Sequence, residues 1–408
     1  MTILTQKQDP IRKEPWPYTG FGVNLIGEEE MAEVREVIES QSLFRFYGPD
    51  PRNKVDAFER EFAEYVGTEQ ALGVSSGTAA VHLGVCACGI GPGEEVIVPP
   101  VTFIANISPV LLCGGVPVFA DVDAETLNLD PDSVREAVTP RTKAIVPVHL
   151  LGFPADMDGL REVAEEEDLY LIEDSSHAHG AEYGGEKVGS LGDIACFSLQ
   201  LNKMITSGEG GVVTTDDYEL YDNAIRYHDH GNNRLSKEKG GPLGTNYRMS
   251  ELQGAVALAQ ARKLDRIVEI VNSNARYVNE RVEGMGLIPR KVISGSSPVH
   301  YQIIFRIPES LNTSAEELAG LVRDEGVPAG LVYGGNPAYQ LDLFTKRETI
   351  NRAGWPFTSP LNEFGPPRPC PVLEEALKMT LALPNSTNYT SKELEDMVAA
   401  VETALRSI

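Results

Sequence analysis

The chain reads as an α/β protein, with a mostly parallel mixed sheet between helices in a large domain and a smaller α+β domain after it. Three observations lead there. Short apolar runs recur between residues 71 and 215, helical patterns separate them, and 408 residues with 42% hydrophobic side chains suffice for two cores. The runs occupy 71–74, 96–98, 117–120, 144–148, 169–172, 194–197 and 212–215. Being apolar along their length rather than alternating, they fit strands covered on both faces. Between two of them, residues 156–167 put Met157, Leu160 and Ala164 on one face and acids on the other, which predicts a surface crossover helix. Ser250-Glu-Leu-Gln253 is a capping-box pattern, and Leu252, Val256, Ala259, Leu264, Ile267 and Val271 predict one long helix continuing from it.

The large domain is placed at residues 1–265, N-terminal arm included, and the smaller one at 266–408. The latter holds a strand at 301–307 and helices at 314–325 and 391–405. Gly354 to Pro371, with six prolines, reads as an ordered surface loop near the site entrance.

Sixty acidic against 35 basic side chains give a formal charge of −25. Such a surface disfavours nucleic acid and anionic membranes as partners, because phosphate contacts need basic groups. No segment is apolar enough to cross a membrane, and the first residues lack a secretory h-region, so the expected compartment is the cytoplasm. Five cysteines are an odd number, and four lie in apolar surroundings. Cys86-Ala-Cys88, in a predicted helix without nearby histidines, reads as packing. His228-Asp-His230 lacks a third ligand, so no metal site is expected.

Chemistry concentrates at three places. Lys203 stands between the apolar run ending near Phe197 and the glycine-rich turn Gly208-Glu-Gly-Gly211, while Glu173-Asp174 ends an earlier run. A lysine at a strand end beside a carboxylate suits pyridoxal 5'-phosphate, whose aldehyde needs an amine and whose ring nitrogen needs an acid partner, here Asp174. The third place is Ser76-Gly-Thr78, where a strand turns into an alanine-rich helix. Free amides there can hold a phosphate, with Gly77 permitting close approach and Thr78 adding a hydroxyl.

Those stretches, together with Pro99-Pro-Val-Thr-Phe-Ile-Ala105, His179-Gly-Ala181 and Asn246-Tyr-Arg-Met-Ser-Glu-Leu-Gln253, resemble the DegT/DnrJ/EryC1/StrS aminotransferases, a branch of the fold type I pyridoxal phosphate enzymes. The resemblance covers about residues 20 to 260. It implies that Lys203 forms the Schiff base and serves as general base and acid, that Phe103 stacks on the cofactor ring, and that Ser198 donates to the phosphate. It also implies that Asn246 reaches the phosphate of a neighbouring subunit, hence a homodimer with shared active sites. His177 stands where many members carry a glutamine facing the phenolic oxygen; an imidazole there can make the same bond but titrates near neutrality. Gln200 replaces a common histidine. Both departures resemble the branch with 3-amino-5-hydroxybenzoate synthase and the scyllo-inosose aminotransferases.

The expected reaction moves an amino group from glutamate or glutamine to a keto sugar or keto cyclitol. The last two segments considered as a rim, 227–243 and 354–371, carry few basic residues, which favours a small unlinked acceptor over a nucleotide-linked one. His230, Tyr333 and Asn336 are candidate substrate contacts, whereas His149 and His179 read as core histidines. Two rivals to this expectation are disfavoured by the same residues. A dehydratase of the same fold would replace the lysine by histidine, and a regulatory protein without turnover would not need Lys203, Asp174 and the phosphate turn together.

Overall fold

The computed structural model describes residues 9–236 and 240–408. Its centre is a seven-stranded sheet. The strands are β1 (Gln70–Val74), β2 (Glu95–Val98), β3 (Val116–Phe119), β4 (Thr142–Ile145), β5 (Tyr170–Asp174), β6 (Ile194–Ser198) and β7 (Gly211–Thr215), in the order β1-β7-β6-β5-β4-β2-β3. Only β7 is antiparallel to its neighbours; the other pairings are parallel. All seven apolar runs of the sequence are thus strands, within a residue or three at their ends.

Alternation along each strand feeds two cores. On β2, Val96 and Val98 enter one core and Ile97 the other; on β6, Ile194 and Cys196 oppose Ala195 and Phe197. The helices that cover the sheet are α1 (Glu28–Ser40), α2 (Lys54–Val66), α3 (Gly77–Ala87), α4 (Ser108–Leu112), α5 (Pro131–Ala137), α6 (Met157–Glu167), α7 (Tyr218–His228) and α8 (Glu251–Ala261). Helix α6 buries Met157, Leu160 and Ala164, the face expected of it, together with Val163.

The predicted continuous helix after Ser250 is two helices. Its capping box is present, but the chain breaks at Arg262 and Lys263 before α9 (Leu264–Glu283). The two adjacent cations reach different partners: Arg262 binds Glu61 at 2.6 Å, and the Lys263 ammonium donates to the Leu25 carbonyl at 2.8 Å. The first half of α9 packs in the large core (Leu264, Ile267, Val271) and its second half in a third core (Ala275, Val278, Val282). A boundary at 265/266 therefore falls at the start of a helix both parts share.

The third core is built on an antiparallel sheet of β8 (Ile288–Pro289), β9 (Gln302–Arg306), β10 (Gly330–Leu331) and β11 (Thr380–Pro384), in the order β8-β9-β11-β10. Helices α10 (Ala315–Asp324), α11 (Asp342–Thr345), α12 (Pro371–Lys378) and α13 (Ser391–Arg406) complete the chain. The N-terminal arm, grouped with the large domain by sequence order, packs instead on this part. Arg12 pairs with Glu393 at 3.1 Å and Asp396 at 2.8 Å, and the Trp16 ring meets Tyr389 edge-on at 5.5 Å. From there it crosses back, and the Gly22 amide donates to the Met204 carbonyl at 2.9 Å.

One buried carboxylate organises the end of β5. Glu173, fully buried, accepts from the amides of Gly189 (2.8 Å), Leu191 (2.7 Å) and Gly192 (2.6 Å) and pairs with His149 Nε2 at 2.9 Å. Burial alone would raise its pKa, but the His149 bond and those amides hold it below the ordinary 4.5. Its contribution to stability is thus present above that ordinary value and is lost as pH falls through the lower folded one. Replacing Glu173 by alanine strands the amides and His149, and we expect a loss of about 3–5 kcal/mol in urea unfolding at neutral pH. A loss below about 1 kcal/mol would show that these partners find water instead.

Candidate active site

The C-terminal ends of β1, β5 and β6 open onto one cavity of about 610 Å³. At the first, the chain leaves Val74, and the Ser75 amide is fixed by the Tyr247 carbonyl at 2.8 Å. Ser76 caps α3, its hydroxyl accepting from the Ala79 amide at 3.1 Å. The first-turn amides of Gly77 and Thr78 lack intrahelical partners by geometry, and both residues line the cavity. Glycine is required at 77 by a close approach: a Cβ there would lie 2.5 Å from the Ser198 Cβ.

Adjacent residues on β5 point opposite ways. Glu173 enters the core described above, and Asp174 faces the cavity. Its Oδ2 accepts from Asn106 Nδ2 at 2.8 Å and its Oδ1 from the Ser176 amide at 2.9 Å. Two donors fix the carboxylate plane and leave lone pairs for a third. Asn106 escaped the sequence reading, because nothing about an asparagine three residues past Phe103 marks it as the support of a carboxylate on another strand.

After Ser198 the chain makes a tight excursion. Leu199 and Leu201 donate to the carbonyls of Gly210 (2.8 Å) and Gly208 (3.0 Å), and Thr206 Oγ1 donates to Leu199 O at 3.0 Å. That closed loop turns Lys203 back into the cavity, where its Nζ lies 5.6 Å from the centre of the Tyr301 ring. Burial lowers the ammonium pKa to about 8, Asp174 opposing the shift. A substantial share of the amine is therefore neutral at mildly alkaline pH.

His177 packs on the same tyrosine, ring centres 4.6 Å apart, and its Nδ1 is buried without a partner among the described residues. Burial and the Lys203 charge push its pKa well below the ordinary value, so it stays neutral across physiological pH. This corrects the expectation that it titrates near neutrality. Phe103 and Tyr333 also line the cavity, Phe103 with an exposed ring. Tyr301, central to the arrangement, appeared in the sequence only as the start of a strand.

Other candidates lie elsewhere. Asn246 is exposed and outside the cavity of its own chain, bridged to Asp229. His230 and Asn336 are exposed and do not line it either. Residues 354–371 do not reach it: Asn362 Nδ2 donates to the Gly114 carbonyl at 2.9 Å, and Phe357 and Phe364 pack beside the edge strand β3. The described part of 227–243 is also absent from the lining, so neither segment forms a rim in this chain. His149 is a satisfied core histidine, its Nδ1 accepting from the Ala155 amide at 3.0 Å. His179 is buried against Phe62 and Phe197. Cys86 does have a histidine beside it, His82, one turn earlier on α3. The sulfur it meets is that of Cys113, not Cys88.

The lining residues fit pyridoxal 5'-phosphate. The α3 amides and the Ser198 hydroxyl can hold its phosphate in a space that a side chain at 77 would fill. Asp174 can hold a protonated ring nitrogen, Lys203 can bind the aldehyde, and the unpartnered His177 Nδ1 suits a ring oxygen.

Comparison with known proteins agrees with this chemistry. The sequence profile described as the DegT/DnrJ/EryC1/StrS aminotransferase family matches residues 24–402. The chain is 40% identical over 264 residues to GDP-perosamine synthase of Caulobacter vibrioides, covering 64% of this chain and 71% of that protein. It is 38% identical over 322 residues to L-glutamine:2-deoxy-scyllo-inosose aminotransferase of Streptomyces lividus, covering 76% and 74%. Among solved structures, 3-amino-5-hydroxybenzoic acid synthase superposes with a TM-score of 0.81 at 30% identity, over 98% of this chain and 100% of that one.

Proposed function

The chain belongs to the DegT/DnrJ/EryC1/StrS family and is a pyridoxal phosphate-dependent aminotransferase; from that premise we propose that it moves an amino group from glutamate or glutamine to a small ring ketone, a keto cyclitol or an unlinked keto sugar. The observation that carries this reading is the meeting of Lys203, Asp174 and the Gly77 turn in one cavity.

When bound, the cofactor supplies an electron sink that lets a proton leave the amine-bearing carbon. The protein's residues do the rest. Ser198 and the amides of Gly77 and Thr78 would hold the phosphate, and Phe103 would supply an aromatic ring for stacking. Asp174, fixed by Asn106 and the Ser176 amide, holds the proton on the pyridine nitrogen. Neutral His177 contacts the phenolic oxygen without adding charge. Lys203 would hold the cofactor through its Nζ, the amine placed to take the proton from the donor's α-carbon. In the second half-reaction Nζ delivers a proton to the carbon that was the acceptor's ketone. An amine with a pKa of about 8 is suited to both directions.

The acceptor follows from charge. Lys203, committed to the cofactor, is the only cation among the described lining residues, and a diphosphate needs basic side chains or free amides. A polar, uncharged ring is accommodated by Gln200, Asn202, Gln302 and Tyr333 instead. The GDP-perosamine synthase relative supports the nucleotide-linked reading, but among the described lining residues no cation besides Lys203 is available to it. Asn246, exposed and away from its own cavity, supports a homodimer in which each subunit completes the other's phosphate site.

Four outcomes are expected. Glutamate or glutamine should convert the spectrum of the purified holoenzyme, borohydride should fix the cofactor to residue 203, and Lys203→Ala should lose about 10²–10⁴-fold in turnover. Capture of the cofactor by stripped wild-type protein should accelerate with pH and level off above about 8, because only the neutral amine reacts; a flat profile rejects the assignment of Lys203. GDP should neither bind tightly nor compete with a scyllo-inosose acceptor, and tight competitive binding would establish a nucleotide-linked substrate. Finally, mixing inactive Lys203→Ala and Asn246→Ala proteins should restore part of the activity through one intact site per heterodimer. No recovery after verified subunit exchange removes the shared-site reading.

A further inference from the structure

Transamination uses nothing in the cluster His82, Cys86 and Cys113. His82 and Cys86 are four apart on α3 and so share one face, and Cys113 follows the last residue of α4. Their sulfurs are 3.1 Å apart, and a His82 ring nitrogen and both sulfurs all lie within 4.8 Å of one another. His82 Nδ1 is bonded to the Tyr247 hydroxyl at 2.8 Å, while Nε2 is buried with no partner among the described residues. The Tyr227 ring stands edge-on to the imidazole at 5.5 Å.

We propose that this cluster is a binding site for a soft divalent transition metal of the zinc class, with His82 Nε2, Cys86 Sγ and Cys113 Sγ as ligands. The residue types are right, since thiolate and imidazole select such ions over magnesium or calcium. The bond to the Tyr247 hydroxyl allows the tautomer a metal needs. Nδ1–H donating to Tyr247 leaves the Nε2 lone pair free, the outer-shell arrangement that orients a metal-binding histidine. The distances require little movement: zinc–sulfur bonds of about 2.3 Å at a tetrahedral angle separate two sulfurs by about 3.8 Å, so the cysteines must part by about 0.7 Å. Both cysteines are half-buried, which leaves the fourth position to solvent. A metal here would join α3, which carries the Gly77 turn, to α4 and, through Tyr247, to the segment that presents Asn246. Its role is bracing, not catalysis.

The test uses reduced holoenzyme freed of metal by a chelator and titrated with Co²⁺, then Zn²⁺. Wild type should bind one Co²⁺ per subunit with a near-ultraviolet thiolate-to-cobalt band, and Zn²⁺ should abolish that band by displacement. Excess Zn²⁺ should raise the Tm of wild type but not of Cys86→Ser or Cys113→Ser. Each variant should bind Zn²⁺ at least ten-fold more weakly while keeping wild-type transamination. Co²⁺ binding without a thiolate band, or equal Zn²⁺ affinity in the serine variants, overturns the proposal. So does a pair of thiols that closes to a disulfide in air and, once reduced, binds neither ion.

Discussion

Glu173 is the fixed point of this molecule. A carboxylate with no solvent would be costly in a core, and here three amides and an imidazole use its acceptor capacity, so its charge is held and the 189–192 turn is held with it. The next residue on the same strand must then face the other way. Asp174 thus enters the cavity because Glu173 is anchored below it, and the strand period of two converts a structural charge into a positioned functional one.

Around that point the site is assembled from strand ends that are far apart in sequence. The α3 turn meets Ser198 only because residue 77 has no side chain, and the lysine loop is closed by its own hydrogen bonds. Lys203 gains its low pKa from the same enclosure: burial lowers it, and Asp174 is too weak a counterweight to restore it. Reactivity and packing here share one cause.

Much of this was legible in the chain. The seven strands show as continuous apolar runs because helices cover both faces, and Lys203, Asp174, Gly77 and Thr78 sit at strand ends where turn residues mark them. What failed was whatever depends on partners remote in sequence. Asn106 and Tyr301 carry no local signal, since one matters through a carboxylate 68 positions away and the other through a loop lysine about a hundred away. The helix after Ser250 breaks at Arg262 and Lys263, where no glycine or proline marks the stop. Proline density in 354–371 announced order correctly but not location, and the spacing Cys86-Ala-Cys88 concealed a contact with Cys113.

The arm deserves to be seen as a strap. Arg12 fastens it to α13 and Trp16 to Tyr389 just before that helix, Gly20 donates to Ser386 at 3.0 Å, Tyr18 reaches Asn202 at 3.0 Å, and Gly22 holds the residue after Lys203. Any rotation of the C-terminal core relative to the sheet must therefore stretch a segment tied to the lysine loop, so mobility between the two parts and the position of the amine are mechanically linked. The family profile begins at residue 24, past every one of these contacts. Trimming the chain to the span of that profile would remove the strap and with it the Gly22–Met204 bond beside Lys203.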